Sequence, residues 1–196
     1  MNTVELGIVI IGVGGQGTLL ASRILGALAM GLGRDVKVSE VHGMAQRGGS
    51  VMTFFRMGES VHAPILDPAC ADYVLAFEKL EAVRALPYLK PGGTVIVNTQ
   101  EVLPMPVITG AAKYPSDLVD VLNQCANVVA FDAAALARAA GEPRAVNLVL
   151  LGAFARFTSF DRATWDRAIE ESVPSRLLKV NEDAFEAGYQ ICANRE

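Results

Sequence analysis

Paired cysteines are missing from this sequence. Its three cysteines, Cys70, Cys125 and Cys192, stand far apart and no C-x-x-C occurs. That spacing excludes a locally encoded iron–sulfur or structural zinc site, and so no metal site is expected in the chain. It offers no disulfide framework either, which fits a reducing cytoplasm. A basic block is also missing. Net charge is −4, and without a clustered positive stripe a nucleic-acid role is excluded. The N-terminal MNTVELGIVI lacks the basic segment and cleavage site of a signal peptide. No apolar run reaches the roughly 20 residues that cross a bilayer. The longest, around LVLLGAFARF, has core-helix length and carries Arg156. There is no P-loop, no G-x-S-x-G and no H-E-x-x-H, so no self-sufficient nucleophile or metal centre is encoded. Charged residues are only 19% against 52% hydrophobic, which predicts a large core and little disorder.

What is present is organised around residues 6–17, LGIVIIGVGGQG. The apolar run reads as a strand buried on both faces. Gly12, Gly14, Gly15 and Gly17 then turn the chain into TLLASRILGALAM, whose apolar positions Leu19, Leu20, Ile24 and Leu28 recur at helical spacing. Strand, glycine turn and helix open a Rossmann-like α/β domain. Further strands are expected at 35–41, 50–58, 71–78, 94–100 and 127–133, with helices at 15–31, 79–89, 115–126 and 134–141. The segment 42–49 is a loop, 90–93 a turn, and 101–110, with its two prolines, an extended edge. Ser116 is the expected cap of the helix at 115–126. From residue 143 onward only helical spacing appears. The expectation is one three-layer α/β/α domain with a mainly parallel sheet: an α/β core over 1–142 and a helical segment, 143–196, packed on it.

Two stretches carry candidate chemistry. Gly12, Gly14 and Gly17 fit G-x-G-x-x-G, and Glu40 supplies the acidic residue that a dinucleotide ribose needs ~20 positions on. The alternative is a tight strand–helix turn with no ligand, and Gln16 is atypical of the nucleotide pattern. The loop His42-Gly43-Met44-Ala45-Gln46-Arg47-Gly48-Gly49 follows the second strand, whose end is expected beside the glycine turn. Arg47 offers a planar fork for carboxylate or phosphate, Gly48 and Gly49 let main-chain N–H groups approach the same ligand, and His42 can shuttle a proton. A surface arginine and a satisfied histidine remain the plainer readings. Glu78, Lys79 and Asn98 share the same predicted rim, with capping and turn roles favoured over catalysis. Asn147, Lys179 and Asn181 read as packing or capping groups, and His62 as structural.

Together these residues are recognisable. IIGVGGQGTLLASRILGALAM (10–30) followed by KVSEVHGMAQRGGSV (37–51) resembles the gamma subunit or gamma domain of 2-oxoacid:ferredoxin oxidoreductases. The segments DYVLAFEKLEAVRALPYLKPGGTVIVNT (72–99), NLVLLGA (147–153) and KVNEDAFEAGY (179–189) extend the resemblance over nearly the whole chain. Within the family, VSEVHGMAQRGGSV is most similar to the small subunit of the indolepyruvate branch. The resemblance implies a subunit of an enzyme that oxidatively decarboxylates an aryl 2-oxo acid to acyl-CoA and CO2 and reduces ferredoxin. It also implies that thiamine diphosphate and iron–sulfur clusters reside on a large alpha subunit, with none bound by this chain alone. The small chain alone would be inactive, and could self-associate through the surface meant for its partner. Gly12, Gly14, Gly15, Gln16, Gly17, Gln46, Arg47, Gly48 and Gly49 would form a rim facing the partner's thiamine/CoA site, with His42 and Arg47 as candidate catalytic groups. Two rivals stay open: the gamma subunit of a pyruvate or 2-ketoisovalerate enzyme, and a stand-alone NAD- or FAD-binding Rossmann protein.

Overall fold

The computed structural model describes residues 5–44 and 48–193. Among these, six strands form one sheet: β1 (Leu6–Val13), β2 (Asp35–His42), β3 (Ser50–Gly58), β4 (Ala71–Ala76), β5 (Leu89–Asn98) and β6 (Asn127–Phe131). Their spatial order is β2-β3-β1-β4-β5-β6. β1, β4, β5 and β6 pair in parallel, whereas β3 runs antiparallel to both β1 and β2. Loop length explains the reversal. A parallel crossover needs a dozen or more residues, and the short loop 43–49 permits only an antiparallel return. β3 also pairs with β1 on its other side, which leaves β2 at the edge.

Alternation along β1 divides the core. Ile8 and Ile10 face one side, with α1 (Thr18–Gly31), α5 (Ala133–Ala139), α6 (Val146–Ala155), α7 (Arg162–Ser172) and α8 (Leu178–Ala193). Val9 and Ile11 face the other, with α2 (Lys79–Ala85) and α4 (Leu118–Cys125). Helices thus cover both faces, giving the expected three layers, and β1 is buried from Leu6 to Val13. Phe154, Trp165 and Phe185, from α6, α7 and α8, join the same core as Ile8 and Ile10.

α6 is buried from Asn147 to Ala155 because α8 crosses it at backbone distance. A Cβ at Gly152 would lie 1.9 Å from the Phe185 carbonyl oxygen, and one at Gly188 would lie 1.9 Å from that of Val149. Only glycine fits at either position, which gives the NLVLLGA and KVNEDAFEAGY segments a packing reason.

Several local expectations change. Residues 101–110 are no sheet edge: they hold a short helix, α3 (Met105–Ile108), with Pro104 before its first turn. The 90–93 turn lies inside β5 as an irregularity, with register passing from Ala71↔Leu89 to Tyr73↔Thr94 and Gly92 at φ 77°. Ser116 is not the cap of α4. Asp117 occupies that position, and its side chain makes no capping bond. α1 begins at Thr18 rather than 15, since Gly15 and Gly17 at φ 102° and 93° cannot continue a helix.

Candidate functional site

In a sheet with these directions the carboxyl ends of β1, β4, β5 and β6 share one rim with the end of β2 and the start of β3. Ligands of open α/β sheets bind at such a rim. The glycine turn stands in its middle. Gly12 cannot carry a side chain, because a Cβ would lie 2.9 Å from both Gln16 Oε1 and Phe77 Cβ. The Gln16 side chain is what occupies that space. Its Oε1 accepts from the Val13 N–H at 2.7 Å, and its Nε2 donates to the Phe77 carbonyl at 3.3 Å. Gln16 thus locks the turn to the end of β4, which accounts for a glutamine where nucleotide fingerprints rarely have one.

The two sequence motifs meet here. The Gly14 N–H donates to the Gly49 carbonyl at 2.8 Å, and the Gly48 N–H reaches the Gly14 carbonyl at 3.5 Å. Gly48 has φ 76°, a left-handed conformation that glycine adopts without strain. Ser50 follows, and its hydroxyl donates to the buried Glu81 carboxylate of α2, which also receives Arg84. From the opposite layer, Asn147 of α6 donates to the Gly17 carbonyl at 3.4 Å. Gly12, Gly14, Gly15, Gln16, Gly17, Gly48 and Gly49 therefore form one structure. Gln46 and Arg47 lie outside the described residues.

His42 ends β2, exposed, with Nδ1 3.1 Å from the Gly43 carbonyl. The end of β2 is not directly beside β1, because β3 lies between them. A cleft of about 410 Å³ nevertheless spans the gap on the α1 side, lined by the glycine turn, Thr18, Leu19, Glu40, His42 and Val51. Leu19 does not pack on the sheet as its spacing suggested; it is 59% exposed at this cleft.

Beyond the turn, the rim is built from buried polar groups with structural work. Glu78, 1% exposed, caps α2 by accepting from the Glu81 N–H at 3.0 Å, and also accepts from the Tyr114 hydroxyl and the Val102 N–H. Burial and the adjacent Glu78 carboxylate push the Tyr114 phenol well above its ordinary range, so it stays a donor. Asn98 donates to the Phe77 carbonyl at 3.1 Å and accepts from the Ala133 N–H at 3.0 Å. Lys79 pairs with Glu101 at 2.6 Å. The Glu78–Tyr114 clamp moors the excursion between β5 and α4. Sequence reading missed it, because Tyr114 stands in a segment with no period, and a buried carboxylate's partner is set by tertiary contact.

Among the described residues, no three His, Cys, Asp or Glu side chains converge to hold a metal ion, and Cys70 and Cys125 are exposed. That donor set does not suit an iron–sulfur cluster. No helix is long and apolar enough to cross a membrane among the described residues.

Comparison with known proteins gives this geometry a family. The model of the pyruvate ferredoxin/flavodoxin oxidoreductase family matches residues 7–191. The chain is 40% identical over 190 residues to the indolepyruvate oxidoreductase subunit IorB of Thermococcus kodakarensis, covering 94% of each. It is 41% identical over 191 residues to the protein of that name from Methanothermobacter thermautotrophicus, covering 95% of this chain and 97% of the relative. Its fold matches the crystal structure of the keto/oxoacid ferredoxin oxidoreductase gamma subunit from Geobacter sulfurreducens with a TM-score of 0.72, covering 96% and 99% of the two chains at 22% identity. The chain belongs to the pyruvate ferredoxin/flavodoxin oxidoreductase family and is a small subunit of a ferredoxin-linked oxidoreductase.

Proposed function

We propose that this chain is the small subunit of an indolepyruvate:ferredoxin oxidoreductase. The complex oxidises an aryl 2-oxo acid: the carboxylate leaves as CO2, the acyl group forms a thioester with CoA, and the electron pair passes to ferredoxin. Thiamine diphosphate and the iron–sulfur clusters belong to a larger alpha subunit and supply the carbanion and electron chemistry there. The assembly works in the cytoplasm. The observation that carries the reading is the identity of about 40% to indolepyruvate oxidoreductase subunits along nearly the whole chain.

In this reading the rim of Gly12–Gly17, His42 and Gln46–Gly49 faces the large subunit beside its thiamine/CoA site. The support is local. The glycine turn and the second motif are joined by main-chain bonds, and the side chains that brace them, Gln16, Glu81 and Asn147, point inward to the scaffold. Such a joint presents a rigid surface rather than a self-contained active site.

The test is reconstitution with the large subunit. Turnover of indolepyruvate well above that of pyruvate or 2-ketoisovalerate is expected, and the reverse preference would assign the chain to a sister enzyme. Arg47→Ala is expected to lower CoA-dependent turnover or subunit association. If both stayed unchanged, the placement of the rim would be wrong.

A further inference from the structure

The cleft between α1 and the end of β2 holds a polar group that nothing in the described chain answers. Glu40 lines it, and its Oε2 is shielded from solvent with no hydrogen-bond partner. Directly across the strand pair, on the same face, stands Thr53, 1% exposed, and its Oγ1 also lacks a partner. A buried carboxylate oxygen without a donor costs free energy, and so does a buried hydroxyl. Of the two residues Glu40 is the one that lines the cleft, so its carboxylate marks the place where a donor arrives from outside.

The walls select the kind of donor. Gly14, Gly15 and Gly17 contribute no side chains, and a Cβ built at Gly15 would meet nothing within 4 Å. Val51 and the exposed Leu19 line the cleft. An aliphatic collar around a half-buried carboxylate suits a side chain with an apolar stem and a cationic, multi-donor head, which is arginine. A phosphate group is a poor match, since it would meet the Glu40 charge. A bare metal ion is a poor match too, because no three ligating side chains converge among the described residues.

We propose that this cleft is a socket for an arginine of the large subunit, whose guanidinium pairs with the Glu40 carboxylate while its stem packs on Leu19 and Val51. Charge complementarity picks the occupant, and the identity of the partner rests on the functional reading above.

The experiment measures association of the purified chain with the separately purified large subunit by calorimetry, at low and high salt, for the unaltered chain, Glu40→Gln and Leu19→Ser. Glu40→Gln is expected to weaken association at least about tenfold, because it leaves a partner cation buried without its counter-charge. Leu19→Ser, at an exposed position, is expected to weaken it less. The free Glu40→Gln chain is expected to melt at or above the temperature of the unaltered chain, because a shielded charge without a donor has been removed. Unchanged association of Glu40→Gln would overturn the socket. So would a fall in its melting temperature, which would mean that Glu40 already has a donor within the free chain. Glu40-dependent binding of AMP or coenzyme A by the free chain would overturn it too, by giving the cleft to a small molecule. If the unaltered chain did not associate at all, the functional reading itself would fail.

Discussion

Gly14 and Gly49, from two motifs far apart in sequence, are joined by a 2.8 Å hydrogen bond between main-chain groups. The bond spends the first N–H beyond β1 and draws the chain entering β3 across the crevice next to the glycine turn. A dinucleotide's pyrophosphate would need that crevice and those N–H groups. Glu40, the residue placed to hold a ribose, is a strand further from β1 than the fingerprint assumes, because β3 intervenes. The isolated chain is accordingly expected to show no tight NAD or FAD binding by calorimetry. Saturable binding in the micromolar range would revive the nucleotide reading.

Gln16 is the brace of that joint. Replacing it by alanine removes the acceptor of the Val13 N–H and the donor to the Phe77 carbonyl. A loss of about 1–3 kcal/mol is expected, the range for buried groups left without partners. Urea denaturation would read it. A change below a few tenths would show the side chain to be dispensable.

The Tyr114 hydroxyl moors the 99–117 excursion to Glu78. Tyr114→Phe keeps the ring and removes the donor, leaving a buried carboxylate with main-chain donors alone. Hydrogen exchange is expected to quicken across 99–117 while β1 stays protected. Uniform exchange throughout the chain would contradict the clamp.

Gly152→Ala places a methyl group on the Phe185 carbonyl. The helices α6 and α8 would have to part, and a destabilisation of more than about 3 kcal/mol is expected, in the upper range of single substitutions. Gly26→Ala is the control. It lies mid-helix in α1, with nothing within 4 Å of an added Cβ. It should be neutral or slightly stabilising. Equal melting temperatures for the two variants would refute the close crossing.

Acid sensitivity has a definite sign at Asp161, which caps α7. Its hydrogen bonds from the Thr164 hydroxyl and N–H hold its carboxyl below the ordinary value of 3.8. A group depressed in the folded state binds fewer protons there than in the unfolded chain. Its contribution is therefore complete above the ordinary carboxylate value and disappears as pH falls below it through the folded value. Asp161→Ala is expected to lower the melting temperature at neutral pH and to narrow its difference from the unaltered chain below pH 3.8. A difference that grew on acidification would reverse this sign.

All six strands, and the helical character after residue 143, were legible because apolar runs and 3.6-residue spacing are local signals. The glycine turn was legible as well, since positive φ at Gly15 and Gly17 demands glycine at those positions. The short helix in 101–110 was not, because two prolines in a segment without apolar periodicity look the same before an irregular turn and in an edge strand. Leu19 was misplaced because helical spacing shows which residues share a face, but not where the sheet beneath ends.

Sequence alone determined the six strands, the helical C-terminal part, the two motifs and, through their combination, the family. Tertiary structure decided what those motifs do to each other. The short loop before β3 reverses that strand, and the long-range pairing of β3 with β1 places it between β1 and β2, so Gly49 bonds Gly14 and Glu40 faces the α1 cleft with an unanswered carboxylate oxygen. Pairing order in a sheet is set by long-range contacts that no local period encodes.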